Sequence, residues 1–242
     1  MKSVILLCAL AASANADAPA AAADLLATAD RARGGLANGV TWDVELVAHD
    51  GDETTRRSFL IKARATDAYV EALEPPRTKG EIMIFNDRTI WYTKPSLRKP
   101  VSISARQRLS GLAANGDIAS TNYARDYVGT VVGEDAVDGE PAWRLELKAK
   151  ATNVTYDRIR YWISKTRGIG IKAEFLTVDG AVFKSAGFEY GNKVALAGVS
   201  YVFISKMTIR DAASQASTEI FYANARAEDH PESTFNINNV AR

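Results

Sequence analysis

Three groups of residues have types and spacings that could do chemistry. Ser96-Leu97-Arg98-Lys99 fits the S-x-x-K pattern, in which a lysine activates a serine nucleophile. The neighbouring acids Glu134 and Asp135, or the pair Asp117 and Asp126, could divide general acid and base roles. The stretch NGDIASTNYARDY, Asn115–Tyr127, gathers two acids, an arginine and two tyrosines. None makes a convincing active site. Ser96 and Lys99 sit between Pro95 and Pro100, as a surface loop would, and the S-D-N and K-T-G partners are missing. Acids beside turns read as solvated ends. His49 and His230, also beside turns, read as solvated surface residues. With no His-x-x-x-His spacing and one cysteine, Cys8, a metal centre has no support. The residues predict no enzyme, no metal and no cofactor.

The elements around these residues are mostly strands. From Val40 the apolar pattern has a period of two: Val40, Trp42, Val44 and Leu46 share one face, with Thr41, Asp43 and Glu45 opposite. The same alternation runs through 56–65, 67–73 and a tight hairpin about Asn86-Asp87, then through segments from Asp126 to 228 punctuated by Asp-Gly and Gly-Asn turns. The pattern predicts about eleven antiparallel strands in meander order. One helix is expected ahead of them, Asp24–Arg33, ended by Gly34-Gly35. Between Pro95 and Ala124 the alternation stops, and two short helices are expected there, Ser104–Ser110 and Asp117–Ala124, the second capped by Asp117. Such a mainly β chain closes into a barrel, or curls into an unclosed half-barrel with helices over its open face.

The first residues, MKSVILLCALAASANA, have a basic start, a short apolar run and a small-x-small site at Ala14-Asn15-Ala16. That is a secretory leader, cut after Ala16, with an apolar run too short to span a bilayer. Residues 17–242 are expected to form one exported domain, with the bacterial periplasm as destination. Cys8 lies inside the apolar run rather than at the cleavage point, so lipid attachment is not expected. Its removal leaves no cysteine for disulfides or metal. Without Lys2 the formal charge falls from +1 to zero, which gives no electrostatic footprint for nucleic acid.

Four segments in order carry a resemblance: RLSGLAANGDIASTNYARDY, GEDAVDGEPAWRLELKAK, YDRIRYWISK and IKAEFLTVDGAVFKSAGFEYGN. They resemble the outer-membrane lipoprotein-sorting proteins of the LolA-like superfamily, in its less characterised branch, over about residues 40–238. The resemblance implies an unclosed β-barrel, a helical lid, an apolar cavity for acyl chains and no catalysis. It implies a monomeric periplasmic carrier of lipoprotein acyl chains or lipids, working beside an inner-membrane transporter. Regulatory modules of the RseB type, which sense lipid or stress, share this architecture and add a C-terminal domain. The chain stops after its last strand and cap, which favours the carrier. A lid-closing arginine of the family has no secure match here, though Arg56, Arg57 and Arg64 are candidates.

On this reading the cavity is lined by Trp42, Val44, Leu46, Phe59, Ile61, Tyr69, Ile84, Tyr92, Tyr161, Ile171 and Phe175. The inward face is ambiguous over 81–94 and 158–164, where both alternating sets are partly apolar. Leu109, Ile118, Tyr123, Arg125, Asp126 and Tyr127 form a lid and hinge, or else plug an ordinary core. One test needs only the leader: N-terminal sequencing of the exported protein is expected to begin at Asp17 with no acyl group, and a chain starting at an acylated Cys8 would refute it.

Overall fold

The computed structural model describes residues 21–86, 88–119 and 122–240. The leader 1–16 and Asp87 of the expected tight turn lie outside them. Helix α1 (Ala22–Arg31) comes first. Its buried residues Leu26, Ala29 and Asp30 are three or four apart, so they form one face. Gly34, at φ 98°, takes the chain out of the helix as expected.

Six strands follow: β1 (Val40–Asp50), β2 (Glu53–Arg64), β3 (Asp67–Glu74), β4 (Ile82–Asn86), β5 (Thr89–Thr93) and β6 (Val101–Ile103). Residues 104–126, here called the strap, hold the short strands β7 (Arg108–Ser110) and β8 (Ala113–Ala114) and the one-turn helix α2 (Tyr123–Asp126). Then come β9 (Tyr127–Val137), β10 (Glu140–Ala149), β11 (Arg158–Ser164), β12 (Gly170–Leu176), β13 (Val182–Glu189), β14 (Asn192–Leu196), β15 (Val199–Phe203), β16 (Lys206–Asp211) and β17 (Ser217–Ala227). A 3-10 turn at Glu232–Phe235 and helix α3 (Ile237–Val240) end the described chain. The described residues hold seventeen strands, more than the expected count of about eleven, and β6, β7 and β8 among them are too short to show a period.

Thirteen strands form one antiparallel sheet, in the order β6-β5-β4-β3-β2-β1-β17-β16-β13-β12-β11-β10-β9. β14–β15 and β7–β8 are separate hairpins. The sheet curls without closing, so β6 and β9 are its two edges. These edges are also the two ends of the strap, which therefore must cross the gap between them. Cross-strand pairs fix the inward face. Trp42, Ile61, Val70, Met83 and Tyr92 lie opposite one another along β1 to β5, as do Leu145, Tyr161, Ala173 and Ala186 along β10 to β13. All belong to the main core or pack against it.

The strap lies on this inward face. Gly111 has φ 53°, and a Cβ there would fall 2.3 Å from the Ala48 Cβ of β1, so the chain turns hard against the sheet. The Thr218 hydroxyl accepts from Leu112 N–H at 2.9 Å, and the Lys184 ammonium donates to the Leu112 carbonyl at 2.8 Å. Beside it Asp117 accepts from the Tyr156 hydroxyl at 2.8 and 2.6 Å and pairs with Lys184 at 3.4 Å. The two expected strap helices do not form. Residues 108–114 fold as a hairpin about Gly111, and helix begins only at Tyr123. Asp117 closes the turn before it, accepting from Ala114 N–H at 2.9 Å, rather than capping a helix after it.

The side chains of Lys184 and Asp117 are 7% and 5% exposed. Removing one partner of a buried pair leaves the other uncompensated, at about 3–5 kcal/mol. Lys184→Met is therefore expected to lose about 3 kcal/mol in urea unfolding, and Lys184→Met with Asp117→Asn to recover part of that. A double-variant loss equal to the sum of the Lys184→Met and Asp117→Asn losses would show that the pair is not coupled.

Candidate functional site: an apolar groove beneath the strap

The inward face is largely filled. Trp42, Val44, Leu46, Phe59, Ile61, Tyr161 and Phe175 are buried in one cluster with Leu26 of α1 and with Ile118 and Tyr123 of the strap. Open space remains on the side of β2 to β6. There a groove of about 290 Å³ is lined by Phe59, Ala72, Met83, Tyr92 and Ile103 from the sheet and roofed by Leu109 from the strap. Its rim is polar. Arg57 donates to the Leu109 carbonyl at 3.1 Å and pairs with Glu81 at 3.2 Å, while its guanidinium carbon sits 5.0 Å from the Phe59 ring. Burial, with Glu81 close by, pushes the Tyr92 hydroxyl up to about 12. Arg57 is inward although its neighbours are not: it pairs across the strands with Leu46, and so shares its face.

A second, smaller cavity of about 70 Å³ lies at the seam where the two sheet edges approach. Phe85 and Ile90 of β4 and β5 line it with Arg88 of the turn between them, and Tyr123, Arg125, Asp126 and Tyr127 face them across the gap. The seam is tied by Asp126, which accepts from Arg88 at 2.8 Å and from Arg125 at 2.7 Å. Tyr127 is clamped by Tyr156, donating to its carbonyl at 3.1 Å and accepting its N–H at 3.2 Å. At the other end of the strap, Arg106 donates to both oxygens of Asp157 at 2.7 Å.

Three of the expected lining residues sit elsewhere. Tyr69 pairs with Ile84 and Lys62 on the outward face, because Ala68, Val70 and Ala72 are the residues of β3 that meet the core. Ile84 is nevertheless buried. Ile171 is buried in a small separate cluster with Ala32, Ala142, Trp162 and Ile169. Of the lid residues, Leu109 roofs the groove, Ile118 and Tyr123 enter the core, and Arg125, Asp126 and Tyr127 form the seam. His230 is not solvated: it is 3% exposed, bonded to Thr41 at 2.9 Å and covered by Phe235 of the tail. Ser96 and Lys99 are exposed, and Glu134 and Asp135 pair with Lys165 and Arg144 on the outer surface. No cluster of metal-ligating side chains occurs among the described residues, nor does any helix there have the length and apolarity to cross a membrane.

Sequence reasoning missed Asp30, Arg33 and Lys184. Lys184 had a readable signal, since it alternates in step with Ala186 and Phe188. Asp30 and Arg33 had none, because their role depends on α1 meeting α2.

A solved LolA superfamily protein of Nitrosomonas europaea has the same fold, with a TM-score of 0.80 and 25% identity over 89% of this chain and 97% of the other. This chain has a LolA-superfamily-like fold. A family model described as an uncharacterized protein matches residues 64–242. A putative outer membrane lipoprotein-sorting protein domain from Vibrio parahaemolyticus shares the LolA-like fold at 19% identity (TM-score 0.76, covering 90% of this chain and 97% of that one). So does a DUF1329 family protein from Desulfovibrio piger, at 18% identity (TM-score 0.73, 90% and 97%). No curated protein matches this LolA-like chain.

Asp30 joins the LolA-like sheet's helix to its strap. It is 7% exposed, and its carboxylate accepts from Ala124 N–H of α2 at 2.9 Å. Burial pushes its pKa up to about 7, against the pull of the Ala124 and Tyr123 amides and of Arg33. Between about pH 4 and pH 7 the folded chain then keeps a proton that the unfolded chain releases, so stability falls as the pH rises, by roughly 4 kcal/mol at most. Asp30→Asn, which keeps an acceptor for Ala124, is expected to flatten this decline. Denaturant unfolding at pH 5 and pH 8 measures it, and parallel profiles for variant and wild type would contradict the assignment.

Proposed function

We propose that this LolA-like protein is a periplasmic carrier that holds acyl chains of lipoproteins or lipids beneath its strap, for outer-membrane sorting or envelope lipid transport. The observation that carries the reading is the groove between Leu109 and the row Phe59, Met83, Tyr92 and Ile103. Its floor and roof are apolar while Arg57, Glu81, Gln107, Arg108 and Asn115 also line it, and its volume, about 290 Å³, is at the lower end for ligand sites. Each CH₂ buried there is worth about 0.8 kcal/mol, so a chain of several carbons offsets the cost of ordering it. The roof is held at this end by polar contacts at the rim, Arg57 to the Leu109 carbonyl and to Glu81. Water can take over such contacts when the strap lifts. The leader ending at Ala16 supports export, and an inner-membrane transporter would be the donor of cargo.

Ile118 is a poor probe of this function, because it is fully buried in the core. Leu109 is better placed. Leu109→Trp should fill the groove from its roof and weaken binding of a fluorescent acyl probe about tenfold or more, the equivalent of 1.4 kcal/mol, with little change in Tm. Wild-type protein that binds no acyl probe would end the carrier reading.

A further inference from the structure

We propose that Arg33 is the receptor for an anionic head group, carboxylate or phosphate, on the acyl cargo. This rests on the carrier reading and adds to it the chemistry of the cargo's polar end. Arg33 follows α1 and is only 6% exposed. Its guanidinium carbon lies 4.2 Å from the Phe188 ring centroid and 5.7 Å from that of Tyr123 on α2. Nη2 reaches only the Met207 sulfur, at 3.8 Å, and Nη1 has no hydrogen-bond partner. No carboxylate comes within ion-pair distance of it among the described residues. Asp30, the acid nearest in sequence, is turned to the Ala124 amide instead. Its polar neighbours are the hydroxyls of Tyr123, Tyr161 and Tyr222, which burial keeps protonated, so they supply oxygen atoms but no counter-charge. Lys184, the other buried cation, has Asp117. A buried guanidinium is costly without a counter-charge, and its planar fork suits the two oxygens of a carboxylate or phosphate.

The surroundings give that anion a place and give its tail a direction. Arg33 lines the seam cavity, as do Arg88 from the β4–β5 turn and Arg125 from α2. The two acids that share the cavity are already engaged: Asp126 by Arg88 and Arg125, Asp117 by Lys184 and Tyr156. The seam and the groove are next to each other along the same strands. Phe85 and Ile90 line the seam, and Met83 and Tyr92, two residues further along β4 and β5, line the groove. Only the paired backbone of 105–107 and 115–116 separates them, through Asn115 N–H to the Gln107 carbonyl at 2.9 Å and Gly116 N–H to the Ala105 carbonyl at 3.0 Å. A single amphiphile can therefore set its charge under α2 at Arg33 and its chain along the groove once the strap lifts.

Binding to the full mature chain is measured for two matched pairs: hexadecanoic acid against its methyl ester, and a lysophosphatidic acid against the corresponding monoacylglycerol. The anion of at least one pair should bind about tenfold or more tightly than its neutral partner, and the pair with the larger gap identifies the head group. Arg33→Met should close that gap while leaving the neutral partner's affinity in place. Equal binding within both wild-type pairs overturns the head-group assignment and leaves the carrier reading standing, whereas no binding by any of the four overturns both. A gap that survives in Arg33→Met also overturns it. If that variant does not fold, the wild-type pairs decide whether an anion is preferred, and Arg33→Lys, which keeps the charge but loses the fork, should narrow the gap.

Discussion

The Lys184–Asp117 pair is the contact on which the arrangement of the sheet and strap turns. A strap that spans the gap between two sheet edges has no ladder of backbone hydrogen bonds to fix it. Its position is set by a few polar contacts, and among its ion pairs this is the most deeply buried. Tyr156, Ala114 and Leu112 satisfy the remaining donors and acceptors, which is the condition under which a buried pair is tolerable. The price in desolvation brings positional specificity: apolar packing alone would let the hairpin slide on the sheet, but a displaced carboxylate would be stranded in the core. The pairs at the strap's two ends, Arg106–Asp157 and Arg88–Asp126, are more exposed, and individually such pairs contribute little.

The sheet was largely legible in the sequence because its signal is a period of two repeated over many strands. The row Trp42, Val44, Leu46 faces inward as the alternation says. Where both faces are apolar the pattern cannot choose, and Tyr69 and Ile84 turned outward for that reason: β3 offers small residues to the core, and β4 follows its register. The strap was illegible in another way. Its conformation depends on Ala48, Thr218 and Thr155, which are distant in sequence and whose contacts fix Gly111 and Gly116. Local capping signals at Asp117 were real, but the carboxylate was taken by partners in the sheet. The alternation through Phe183 and Lys184 runs against hydropathy, with the lysine inside and the phenylalanine 40% exposed. That inversion marks a position where polar anchoring outweighs burial of a ring.

The inward face is neither empty nor uniformly packed. On the side of β10 to β17, α1 and the strap cover it with buried side chains, Tyr123 lying against Tyr161 and Tyr127 at ring separations of 5.2 and 5.3 Å. On the side of β2 to β6, Leu109 only bridges over the sheet. Lid and plug are thus two ends of one segment. Ile118 and Tyr123 at one end are buried in the core, whereas Leu109 at the other is only partly buried, over the groove. Local opening is expected where few apolar contacts and mostly half-exposed polar ones hold a segment down.

The pairing of β1 with β17 joins residues 40–49 to 217–227 at the middle of the sheet. Within the sheet the two halves of the strand order meet only through β1 and β17, so the ladder is incomplete until the final strand is present. A chain emerging N-terminus first through a translocation pore would therefore expose the inner edge of β1 throughout its passage, and the sheet could be completed only after almost the whole polypeptide had crossed. Such distant contacts slow folding and lengthen the interval in which unpaired edges can meet other chains. For an exported chain, such an architecture would tie completion of the sheet to the end of passage, unlike one built from local hairpins alone.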